Sequence, residues 1–178
     1  LHQWQLWLDE RGAAWPQLPA ALRARCRDAF RTEPHPSRSQ RQVVESLGEL
    51  GLVPREEVRT PSGYSVDAVI AVGGRDVAVE VDGPSHFVGG SQTPTGATTL
   101  KRRQLRAAGW LLLPVPYWEW QALQHTDPAV RRQRRCEHLS RALAYALPLP
   151  AFAQPRDAFL RGAGAKAKAG AEERPGHR

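Results

Sequence analysis

Apolar and polar residues alternate over positions 64–72 (YSVDAVIAV), where Tyr64, Val66, Ala68, Ile70 and Val72 share one parity. Alternation resumes over 75–82 (RDVAVEVD), with Val77, Val79 and Val81 on one side. A period of two marks strands with one buried face. Gly73-Gly74 between the two runs is a two-residue hairpin signal. That turn sets Val72 opposite Arg75, Ile70 opposite Val77, Ala68 opposite Val79 and Val66 opposite Val81, so one face of the ribbon is apolar throughout. A third run, WLLLPVP at 110–116, is almost continuously apolar. It suits a buried parallel strand reached by a helical crossover.

Helical periodicity fills the rest. Val43, Val44, Leu47 and Leu50 form an apolar stripe after Ser39, which is placed to cap the helix, and Gly51 stops it. A short strand is expected within 52–59, and PSG at 61–63 reads as a turn. After the Gly/Pro/Ser/Thr loop 83–97, Thr98 or Thr99 caps a helix, LKRRQLRAA, that Gly109 closes. Thr126-Asp127-Pro128 is a polar turn before a basic helix from about Ala129 to Leu147. Upstream, residues 1–30 read as helices broken at Trp15-Pro16; Trp4, Trp7 and Leu8 share a face that suits a core. The division expected is a helical segment and linker from a preceding region at 1–36, a domain at 37–147, and a disordered basic Ala/Gly/Pro-rich tail at 148–178.

The polar face of the hairpin carries the chemistry. The same register puts Asp67 opposite Glu80, with side chains about 4.5–5.5 Å apart at Cβ. Asp82 lies two residues beyond Glu80 on the same face, ~6–7 Å further along. Three carboxylates that close repel one another. A divalent cation such as Mg²⁺, nearby Lys or Arg, or raised pKa values would each offset the repulsion. Solvation at the open face is the plain alternative. Lys101, in the first turn of the following helix, shares a face with Leu105 and Ala108 and points toward the acids; Arg102, Arg103 and Arg106 point elsewhere, toward a phosphate partner. His86 is a proton shuttle, a metal ligand, or simply a loop-fixing side chain.

Charge narrows the partner. The net charge is +7, with 25 Lys and Arg against 18 Asp and Glu, which favours a polyanion. The basic residues cluster at Lys101-Arg102-Arg103 with Arg106, and at Arg131, Arg132, Arg134, Arg135 and Arg141. The second group wraps most of its helix, so not all of it can meet one ligand. Phe87, Tyr117, Trp118 and Trp120 are candidates to stack single-stranded RNA bases beside those cations. Cys26 and Cys136 stand far apart, outside any zinc or disulfide pattern. No run approaches the ~20 apolar residues that span a bilayer, so no membrane role is expected. The chain starts at Leu1 and contains no Met, as expected of a fragment of a longer protein.

VEVDGPSHF at 79–87, the Gly/Thr loop, TTLKRRQLRAAGW at 98–110 and the strand that leads into PVPYWEW at 114–120 together resemble the RAP domain. That domain occurs in organellar RNA proteins, among them FAST kinase-like mitochondrial proteins and algal octotricopeptide-repeat proteins, so the resemblance implies a location in the mitochondrion or the chloroplast. The resemblance covers about residues 64–145. It implies an α/β fold of the restriction-endonuclease-like, PD-(D/E)XK type: a mixed sheet flanked by helices, here with an N-terminal helical segment. In that group an Asp and an acidic-x-Lys pair bind Mg²⁺ for phosphodiester hydrolysis. Asp67 matches the first acid and Glu80 the second, while Asp82 stands where the lysine belongs and Lys101 is placed to substitute. On this reading Asp67, Glu80 and Asp82 hold the metal, Lys101 stabilises charge and His86 protonates the leaving oxygen. Three functions follow: an RNA-binding module of an organellar RNA processing, maturation or stability factor, preceded by helical repeats; a Mg²⁺-dependent endoribonuclease; or a protein-interaction scaffold.

Overall fold

The computed structural model describes residues 1–12, 16–30 and 36–147; most of the expected linker and the whole expected tail lie outside them. Four strands, β1 (Arg55–Arg59), β2 (Ser65–Val72), β3 (Arg75–Asp82) and β4 (Leu111–Pro116), form one sheet in the order β1-β2-β3-β4. The first three are antiparallel neighbours, and β4 runs parallel to β3. The helices are α1 (His2–Glu10), α2 (Ala20–Ala29), α3 (Arg38–Glu49), α4 (Gly96–Ala107), α5 (Tyr117–Ala122) and α6 (Pro128–Ala146).

The hairpin closes at the expected register, with Val72 paired to Arg75, Ile70 to Val77 and Ala68 to Val79. Gly73 and Gly74 take φ of 58° and 76°. A type I′ turn needs positive φ at both positions, which only glycine adopts cheaply. The crossover through α4 makes β3 and β4 parallel, so the apolar run at 111–116 is buried from both sides. On one face Ala68, Ile70, Val77, Val79, Leu113 and Val115 pack with Val43 and Leu47 of α3 and Leu139 and Leu143 of α6. On the other face Tyr64, Val66, Val69, Ala78 and Leu112 pack with Leu105 of α4, and Leu6 and Phe30 from the N-terminal helices cover them.

The apolar ribbon face is not continuous. The β2–β3 ladder runs from Val72 only to Ala68. Beyond it Val66 joins the Leu105 cluster, while Val81 packs with the Ile70 cluster. Opposite Asp67, Glu57 of β1 adopts φ +51° between the paired residues Glu56 and Val58. A non-glycine residue rarely takes that conformation. Both observations put the break in alternation at Asp67.

Helix starts also differ. Ser37, not Ser39, caps α3, its hydroxyl accepting from the Gln40 N–H at 3.1 Å. Thr95 caps α4 by accepting from the Thr98 N–H at 3.3 Å, so the helix begins before Thr98. Thr98 donates instead to the His86 carbonyl at 3.1 Å, tying the loop to the helix. In α1 the inward face is Gln5 and Leu8, and Trp4, expected in the core, is 43% exposed.

Candidate functional site

Glu80 and Asp82 close β3, one residue apart and therefore on one face. That face also carries Ala78 and meets α4. Gly83-Pro84 then ends the strand, and Pro84–His86 form a 3₁₀ turn that brings the imidazole back. Four residues along from Asp82, His86 sets its Nδ1 3.2 Å from Asp82 Oδ1. From α4, Lys101 Nζ donates to Glu80 Oε2 at 2.7 Å, and Arg102 Nη2 donates to Asp82 Oδ2 at 2.5 Å. The expectation that Arg102 points away from the sheet is thus corrected: it reaches Asp82 at the end of β3. Asp67 does not face Glu80 across a ladder rung. Its Oδ2 accepts the Val81 N–H at 2.6 Å, so the carboxylate sits on the backbone between Glu80 and Asp82.

Repulsion among the acids is therefore offset by cations and by protonation. Burial raises the Glu80 carboxyl to about 7, against the pull of Lys101. Burial also raises Asp67, and the Val81 N–H opposes that rise. The hydrogen bond to Asp82 raises His86. Asp82 has one oxygen on Arg102 and the other on His86. Among the described residues no three acidic, His or Cys side chains gather in a metal-binding arrangement. Asp67, Glu80 and Asp82 instead each bond a group of the protein: the Val81 N–H, Lys101, and Arg102 with His86.

Beside these residues lies a cleft of about 220 Å³, lined by Phe30, Tyr64, Glu80, Asp82, His86, Lys101 and Arg102 together with smaller side chains. Phe30 and Tyr64 meet edge to face at 5.2 Å between ring centroids. Gln3 of α1 also lines the cleft, and its amide donates to the Tyr64 hydroxyl at 3.3 Å. Among the described residues, two buried polar atoms at the cleft residues have no hydrogen-bond partner: Glu80 Oε1 and Arg102 Nε. Sequence reasoning missed Gln3, Phe30 and Tyr64 as site residues. No local spacing signals them, because Phe30 stands fifty residues before Glu80 in the chain.

The remaining candidates divide. Arg103 pairs with Glu10 of α1 at 3.3 Å, and Arg106 is exposed. Phe87, Tyr117 and Trp118 form a separate aromatic cluster, with centroid separations of 4.3 Å for Phe87–Trp118 and 5.3 Å for Tyr117–Trp118. Phe87 is buried within it, and Tyr117 and Trp118 are half-buried. Trp120 is only 1% exposed and belongs to the core, so the expectation that it stacks on bases is corrected. Its indole N–H donates to Gln42 Oε1 at 3.2 Å and the Arg135 guanidinium lies 5.0 Å from its ring. In the second basic group Arg135 is buried, and Arg132 pairs with Glu49 at 2.7 Å.

Residues 79–130 match the family model of the RAP domain. Over 65 residues the chain is 46% identical to a chloroplastic RAP domain-containing protein of Oryza sativa subsp. japonica. That match covers 36% of this chain and 10% of the relative, so the aligned piece spans about a tenth of the relative's length. Glu80, Asp82, His86, Lys101 and Arg102 fall inside the family match, whereas Phe30, Tyr64 and Asp67 fall before it.

Proposed function

With a RAP domain at residues 79–130 as the premise, we propose that this chain binds single-stranded RNA as part of an organellar RNA processing, maturation or stability factor. The chloroplast is favoured as the organelle because the rice relative is named chloroplastic. The observation that carries the reading is the cleft, where Lys101, Arg102 and His86, each paired with Glu80 or Asp82 of β3, line the same hollow as two aromatic rings. Cations beside rings are the combination that single strands require, phosphate for the first and base for the second. The net charge of +7 adds a long-range attraction for a polyanion. The mixed sheet flanked by helices is compatible with a restriction-endonuclease-like fold.

The test is anisotropy of a labelled single-stranded RNA mixed with the chain across a salt series. Binding should weaken steeply as salt rises, because each neutralised phosphate releases counterions. Absence of binding at low salt would overturn the reading and favour a protein-interaction scaffold.

One observation keeps a nuclease reading as the second choice. Lys101 reaches Glu80 from the helix, and Asp67 sits on the adjoining backbone amide. That places an Asp, a Glu and a Lys around the end of β3. A cleavage assay on a mixed RNA pool, with and without Mg²⁺, decides it. Mg²⁺-dependent cleavage lost in Asp67→Asn would support the nuclease; an uncut pool would remove it.

A further inference from the structure

The open edge of β4 carries a second hollow. Among the described residues β3 is the one strand beside β4. Helix α4 packs on one face of the sheet through Leu105, against Leu112, and α6 on the other through Leu139 and Leu143, near Leu113. Along the edge residues of both helices frame a groove of about 400 Å³, lined by Arg106, Trp110, Leu111, Pro114, Ala142 and Tyr145 among others. Trp110 is half-buried there, and Tyr145 is 94% exposed.

The charge around this groove is uncompensated. In the cleft, Lys101, Arg102 and His86 are each paired with an acid of β3, so they have little charge left for a phosphate. In α6, Arg131 donates to the His125 carbonyl at 2.8 Å, Arg132 pairs with Glu49, and Arg135 is buried beside Trp120. Arg134 and Arg141 remain, exposed and without an ion pair among the described residues, as is Arg106 of α4. Glu137 lies between Arg134 and Arg141 on the helix but accepts from the Gln133 amide at 2.8 Å. Arg134, Arg141 and Tyr145 stand at i, i+7 and i+11, so they share one face of α6 and span ~16 Å along it. That stripe runs into the groove at Tyr145, with Arg106 on the groove's wall.

We propose that the β4 edge groove and the adjoining face of α6 form a second contact surface for single-stranded RNA, on which Arg106, Arg134 and Arg141 neutralise phosphates and Tyr145 and Trp110 stack bases. This rests on the RNA-binding reading and moves phosphate neutralisation out of the cleft. Free cations beside exposed rings are the pairing that holds single strands without sequence preference. A partner β-strand fits this edge poorly, because Pro114 and Pro116 have no N–H to donate. An acidic peptide would meet the arginines but make no use of the rings.

The experiment uses the full 178-residue chain, a labelled single-stranded oligoribonucleotide and a labelled polyglutamate, read by anisotropy across a salt series. The variants are Arg106→Gln, Arg141→Gln and Tyr145→Ala, with Arg25→Gln, an exposed arginine of α2 outside the groove, as the charge-matched control. All four positions are exposed, and melting curves check that each variant folds. Arg106→Gln and Arg141→Gln should each flatten the slope of log affinity against log salt by about 0.7, the share of one phosphate on a single strand. Tyr145→Ala should weaken RNA binding about tenfold with the slope unchanged, as for one lost stacking contact. Arg25→Gln should leave affinity within twofold of the native chain. RNA binding that the three groove variants leave unchanged overturns the groove and spares the RNA reading. Polyglutamate bound as tightly as RNA, with Tyr145→Ala silent, overturns RNA as the occupant. A native chain that binds no RNA at low salt overturns both readings.

Discussion

Glu80 sits in a conflict between burial and charge. Its carboxyl is raised from 4.5 to about 7 because burial penalises the anion more than Lys101 compensates. The folded state therefore holds a proton that the unfolded chain releases near pH 4.5. This contribution to stability is full below pH 4.5 and is lost as pH rises through about 7. At about 1.4 kcal/mol per unit the difference is roughly 3 kcal/mol. His86, also raised, acts in the same direction, its contribution present below pH 6.5 and declining above it. Urea unfolding at pH 5 and pH 8 should show the native chain weaker at pH 8, and Glu80→Gln should remove most of that decline. Asp67 has a different task. Because its Oδ2 accepts the Val81 N–H, Asp67→Ala leaves a backbone donor unpaired and should cost about 1–3 kcal/mol. Asp67→Asn keeps an acceptor and should cost less than half as much in the same titration. That makes Asn the proper substitution for the cleavage assay, since lost activity would not then reflect lost fold.

Among the elements, the β2–β3 hairpin is the one whose local chemistry can be tested in isolation. Gly74 has φ +76° with open space around the position of an added Cβ. Gly74→Ala therefore meets no clash, and its cost is the left-handed backbone alone, about 1–2 kcal/mol. Denaturation midpoints of the variant check this figure, and an unchanged midpoint would argue against the type I′ turn. Helix α4 works as both crossover and site. Its Leu105 face buries against the sheet, and the same turn geometry carries Lys101 and Arg102 to the acids of β3. Thr95 as cap, with Thr98 bonded to the His86 carbonyl, fixes the loop that returns the imidazole to Asp82.

For the whole molecule, the N-terminal helices are part of the packing of the sheet. Leu6 and Phe30 cover the cluster of Tyr64, Val66 and Leu105, and Gln3, Glu10 and Gln104 bridge the two parts. A chain that begins at Pro36 would expose Tyr64, now 5% exposed. Loss of one or two buried apolar side chains should lower stability on the order of 3 kcal/mol. Urea melts of the two chains measure the difference; equal midpoints would mean that the helices only rest on the domain. No helix among the described residues is long and apolar enough to cross a membrane.

Period-two alternation around Gly73-Gly74 sufficed for the hairpin and its register from Val72 back to Ala68, because side-chain parity leaves only one pairing that buries Ala68, Ile70, Val77 and Val79 together. The continuous apolar run at 111–116 likewise specified a parallel strand after a helix. Motif residues in VEVDGPSHF and LKRR carried the resemblance to the RAP domain, since both segments lie within the short stretch 79–130 that the family model matches. Three matters lay beyond any local pattern. The alternation breaks at Asp67, where Glu57 of another strand takes a left-handed backbone. Arg102 turns inward to Asp82, a contact between α4 and the end of β3 that no helical wheel contains. Phe30 and Gln3 meet Tyr64 only after distant segments pack. Periodicity is a property of neighbours in the chain; the cleft is made by residues that become neighbours only on folding.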